Sequence, residues 1–65
     1  MTKNIFTLFR EGLKPGDKIR AEGSLEIFIY AGVLKDEMSF KRMFRHQGDD
    51  ELICINTRLL WEKVQ

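Results

Sequence analysis

Between residues 14 and 17 the hydrophobic rhythm of this chain changes, and the change constrains the fold more than any other feature. Before it, in residues 2–12, Ile5, Phe6, Leu8 and Phe9, continued by Leu13, recur at helical spacing, with Lys3, Thr7, Arg10 and Glu11 outside the stripe. Thr2 or Asn4 suits the N-cap, and Gly12 suits the position just past the helix end. Lys14-Pro15-Gly16-Asp17 then makes a strong turn signal, because proline presets φ and glycine accepts positive φ. After it the period is two. Ile19 and Ala21 alternate with Lys18, Arg20 and Glu22, as in a half-buried strand. A short helix must therefore hand over to β structure within the first quarter of the chain.

The rest of the chain continues the β pattern. Gly23-Ser24 reads as a tight turn. Leu25, Ile27, Ile29, Ala31 and Val33 fall on one face of a long strand, and Glu26, Phe28, Tyr30, Gly32 and Leu34 on the other. Gly32 inside the run signals a bulge or bend. Residues 39–47 are ambiguous. Phe40, Met43 and Phe44 fit a short helix, whereas as a strand Phe40, Arg42, Phe44 and His46 share one face. The strand-like neighbours and a natural hairpin through Gln47-Gly48-Asp49-Asp50 favour the strand. Leu52 to Ile55 reads as a buried strand, Asn56-Thr57-Arg58 as a turn, and Leu59 to Val64 as a last short strand.

With 65 residues the chain is expected to form one domain near the lower size limit for independent folding. A hydrophobic content of 43% beside 32% charged residues is a globular mixture rather than a disordered one. The single cysteine, Cys54, rules out an internal disulfide, so the small core must suffice or self-association must help it. The absence of a long apolar run and of a signal-peptide pattern gives a cytoplasmic protein without membrane contact as the expectation.

A helix followed by about five short β segments resembles the small β-barrels of SH3-like or Sm-like topology; in the Sm-like version a short helix precedes five strongly bent strands. The expected architecture is thus a mainly β, five-stranded barrel with a short N-terminal helix, the strands lying within 17–64. The resemblance rests on pattern and length, and no binding residue is carried over from it. Sm-like barrels commonly form RNA-binding rings, and SH3-like barrels commonly bind peptides, proteins or nucleic acids, so the class leaves function open.

Catalytic and metal constellations are missing from the sequence. Cys54 sits among Leu52, Ile53 and Ile55 and reads as an inert core thiol, since burial disfavours the thiolate. One Cys and one His, His46, fall short of a structural zinc site, and Asp49, Asp50 and Glu51 lack the spacing of a calcium loop. No enzyme activity and no cofactor are expected. The net charge of +1 excludes a strong overall field, so a nucleic-acid surface would have to be local.

Two binding readings follow. In the first, the chain is an adaptor, regulator or inhibitor that contacts another protein, with a homo-oligomer left open. Phe28, Tyr30, Arg42, Phe44 and Trp61 carry the contact, because aromatics and arginine are favoured at interfaces. In the second, RNA or single-stranded DNA stacks on Phe28 and Tyr30 while Lys18, Arg20, Lys41, Arg42 and Arg45 hold phosphates. Each has a plainer counterpart. Phe28 and Tyr30 become core if the helix packs over them, Trp61 can close the core, and Asp49, Asp50 and Glu51 can pair with the three cations before them. If the five cations cluster on one face, the nucleic-acid reading gains.

Overall fold

The computed structural model describes residues 1–64. Its elements are β1 (Lys3–Asn4), α1 (Ile5–Arg10), β2 (Lys18–Ala21), β3 (Ile27–Lys35), β4 (Phe40–His46) and β5 (Leu60–Val64). The strands form one antiparallel sheet in the order β1-β5-β2-β3-β4. Among the described residues no pairing joins the two edges, β1 and β4, so the sheet is open and the expected closed barrel is not formed by hydrogen bonds.

The helix is shorter than residues 2–12. At its start Lys3 and Asn4 are drawn into pairing with Trp61 and Leu60. Asn4 then caps the helix, its side-chain oxygen accepting from the Phe6 N–H at 2.9 Å. At the other end Gly12 takes φ +103° and its N–H reaches the Phe9 carbonyl. Ile5 and Leu8 face the core, while Phe6, counted in the stripe above, is 51% exposed.

The Lys14–Asp17 turn forms where the sequence places it, with the Asp17 N–H on the Lys14 carbonyl at 2.9 Å. The turn is stitched to the middle of β3. Gly16 donates to the Tyr30 carbonyl, and the Tyr30 N–H donates to the Asp17 carbonyl. Immediately after Tyr30 the β3–β4 register shifts, so that Tyr30 opposes Phe44 but Gly32 opposes Met43. This is the bulge announced by Gly32, with Ala31 as the extra residue. Because side chains alternate along a strand, one extra residue exchanges the faces beyond it. Val33, opposite Arg42, therefore joins the side of Phe28 and Tyr30, and Leu34, expected there, moves to the other.

The core contains Ile5, Leu8, Ile19, Ala21, Tyr30, Phe44 and Trp61, with Phe9, Leu13, Phe28, Ile53 and Ile55 packed on its margin. Phe9, Tyr30 and Phe44 form a tilted aromatic cluster with centroids 5.1–6.1 Å apart. On the opposite sheet face Lys18, Ile29 and Arg45 stand in one cross-strand row. Ile29 is only 9% exposed yet lies outside the core cluster, as expected if the aliphatic stems of its long neighbours cover it.

The segment Leu52 to Ile55 departs most from expectation. Instead of a buried strand it makes a single bridge, Ile53 with Phe44. Leu52 and Cys54 are exposed, and Ile53 and Ile55 are half-buried. The Asn56 carbonyl accepts the Trp61 indole N–H at 3.1 Å and the Leu59 N–H at 3.4 Å. Those bonds hold the end of the segment toward Trp61, so it leaves β4 after one pair.

Candidate functional site

The sheet separates the residues nominated for binding. Tyr30, Phe44 and Trp61 are 5%, 1% and 2% exposed and serve as core. Phe28 is half-buried, with the Trp61 ring edge-on at 5.5 Å and the His46 ring at 4.5 Å. Of the five residues nominated for protein contact, only Arg42 is exposed. For nucleic acid, Lys18, Arg20 and Arg45 have the outward parity of Ile27 and Ile29, whereas the stacking residues Phe28 and Tyr30 face the core. The aromatic platform thus lies on the face opposite those three cations, and of the five nominated cations only Arg42 has the phase of the platform's side. Arg20 is also engaged, its Nε donating to Glu62 Oε1 at 3.1 Å.

The local charges do not cancel as sequence proximity suggests. Among the described residues no carboxylate of Asp49, Asp50 or Glu51 forms an ion pair with Lys41, Arg42 or Arg45. Asp49 instead accepts the Glu51 N–H at 3.0 Å, and Arg45 donates to the Asp49 carbonyl at 3.3 Å. Arg42 lies over the Phe9 ring, 4.3 Å from its centroid, and 5.5 Å from that of Phe40. A guanidinium held between two rings keeps its N–H groups for an outside acceptor.

Where the Leu52–Ile55 segment leaves β4, two hollows open, and Cys54 and Ile55 border both. The first, about 350 Å³, includes Glu22, Glu26, Phe28, His46 and Trp61; Glu26 Oε2 lies 3.5 Å from His46 Nε2. The second, about 320 Å³, is lined by Phe6, Phe9, Phe40, Arg42, Ile55 and Thr57, with Lys41 at its border and no acidic residue. Phe6 and Phe40 are 51% and 58% exposed. Thus α1 supplies one wall, the free edge of β4 the other, and Arg42 the charge.

Backbone groups complete this wall. In an antiparallel ladder alternate residues point their N–H and C=O to the same side. Phe44 exchanges both bonds with Ile53, and the Gln47 N–H reaches back to Ile27 on β3. Phe40 and Arg42 share the phase of Phe44 and present their backbone groups to the second groove, away from β3.

The chain matches no protein-family model, no curated protein and no solved structure. Its site therefore stands on its own geometry.

Sequence reasoning missed Phe6, Phe9 and Phe40. The available signals were Phe6, an apolar residue too many for the stripe of so short a helix, and the strand phase shared by Phe40 and Arg42. Cys54, expected in the core, is exposed between the grooves. Among the described residues no three His, Cys, Asp or Glu side chains come together as metal ligands would, and no helix is long and apolar enough to cross a membrane.

Proposed function

We propose that this protein is a small non-enzymatic module that binds another protein, as an adaptor, regulator or inhibitor, through the groove between α1 and β4. The observation that carries the reading is Arg42, unpaired by any described carboxylate and stacked on Phe9 and Phe40 at a free strand edge. Arginine and aromatic side chains are the residues that most often dominate protein-binding energies. Phe6 and Phe40 leave half or more of their surface in water, which a partner would cover. An SH3-like or Sm-like kinship is part of the proposal. The last strand lies beside β2, the first strand after the helix, and the helix precedes both, which fits that topology.

The test is selection of binding peptides from a displayed random library, followed by affinity measurement on Phe40→Ala and Arg42→Ala. Both side chains are exposed, so the fold should survive. The expected result is a loss of about tenfold or more for each variant, the range of interface anchors. Binders indifferent to both changes would overturn the assignment. So would a preference for single-stranded nucleic acid that weakens steeply with salt, the signature of phosphate contacts.

A further inference from the structure

The groove reading says where a partner binds; the free edge beside it says how. We propose that the groove takes an extended acidic peptide segment of a partner protein, added to the sheet as a strand along the Phe40–Arg42 edge of β4. The proposal rests on the groove being the binding site.

Three observations converge on it. First, the strand edge is available. Ile53 pairs with Phe44 through bonds of 2.8 and 2.6 Å, and the chain then diverges, so the backbone groups of Phe40 and Arg42 continue a ladder that Ile53 begins. An unpaired edge is a template for an incoming strand. Second, the side chains on that edge sort the incoming residues by chemistry. A residue opposite Phe40 shares its face and meets the exposed rings of Phe40 and Phe6, which calls for an apolar side chain. A residue opposite Arg42 meets a guanidinium, which suits a bidentate carboxylate. Third, the charge is one-sided, because the lining contains Lys41 and Arg42 and no acid. The occupant is therefore acidic and apolar, with its backbone in β conformation. The neighbouring hollow, bearing Glu22 and Glu26, has the opposite character.

The probe is the capped peptide acetyl-Glu-Val-Glu-Glu-Glu-Val-amide, in which a valine and a glutamate two residues apart lie on one strand face and so stand opposite Phe40 and Arg42 together. Two controls accompany it, one with lysine in place of glutamate and one N-methylated at alternate amides, made in both phases. Affinity is measured together with amide hydrogen exchange of the whole 65-residue chain. The expected result is binding of the glutamate peptide, weakened about tenfold or more by lysine and by N-methylation in the phase that faces β4. Exchange at Phe40 and Arg42 should slow on saturation by a similar factor. Binding that is lost in Phe40→Ala but leaves those two amides unprotected and ignores N-methylation would overturn strand addition while leaving the groove as the binding site. If no displayed peptide depends on Phe40 or Arg42, the underlying reading fails as well. Two results without any peptide would also overturn the proposal. Protection of both amides in the dilute free chain would mean that its own residues 54–57 close the edge. Protection that appears only as the chain self-associates would make a second copy the occupant.

Discussion

Gly32→Ala is the substitution that most sharply tests how the fold builds the groove. Gly32 has φ +102°, a region that L side chains rarely adopt. A methyl group there would meet Pro15 Cγ at 3.6 Å, an ordinary contact, so crowding contributes little. The penalty is conformational, on the order of 1–3 kcal/mol for a non-glycine residue held in such a region. A domain of this length is expected to have a total stability of only about 3–10 kcal/mol. The loss should therefore appear as a clear drop in melting temperature, about 4–8 °C for each kcal/mol. Fluorescence of Trp61, the only tryptophan and 2% exposed, follows the transition. Chemical synthesis permits a second variant with D-alanine at position 32, for which positive φ is natural. It should match or exceed the glycine protein. If L-alanine costs less than about 0.5 kcal/mol, the range of an ordinary surface change, or if D-alanine is the worse of the two, then positive φ does not fix the bulge. The assignment of Val33 to the core side would fall with it.

Other outcomes follow from the same geometry. Replacing the helix cap, Asn4→Ala, should cost about 0.5–2 kcal/mol in denaturant titrations, because the Phe6 N–H loses its acceptor. Cys54 should react with a thiol reagent at the rate of an exposed cysteine in the native protein, without waiting for unfolding. Acid should destabilise the fold through two carboxyl groups. The Lys14 N–H, and then Lys63, hold the Asp17 carboxyl below its ordinary value. A hydrogen bond and charge from Arg20, joined by the N-terminal ammonium, do the same for Glu62. A carboxyl with a lowered folded-state pKa stabilises fully above its unfolded value, near pH 4, and loses that contribution as pH falls through the folded one. Melting temperature should therefore decline below about pH 4, and less steeply in Asp17→Asn and Glu62→Gln.

Much of the fold is legible in local chemistry. Pro15 and Gly16 mark the turn, the Ile19–Ala21 alternation gives β2, and Gly32 announces the bulge. Residues 40–46 become a strand because their partner is the long β3. Legibility ends where one residue flips a face or a distant atom competes. Gly32 reveals a bend but not that Ala31 is the extra residue, and on that count Val33 and Leu34 exchange sides. The apolar run Leu52 to Ile55 has every local mark of a strand, yet the Trp61 indole bonds to the Asn56 carbonyl and holds the chain end off β4. The Phe9–Arg42 stack joins a helix to a strand edge with β2 and β3 between them in sequence, and no local pattern shows it. Likewise, the acids at positions 49–51 balance the cations before them in number without pairing with them.

The most direct test of the account is a map of backbone amide shifts as a selected protein ligand saturates the isotope-labelled chain. The account predicts that the largest changes fall on Phe6, Phe9, Phe40, Lys41, Arg42 and Thr57, the walls of one groove. Changes centred instead on Lys18, Ile27, Ile29 and Arg45, with the groove undisturbed, would place binding on the opposite face of the sheet and contradict it.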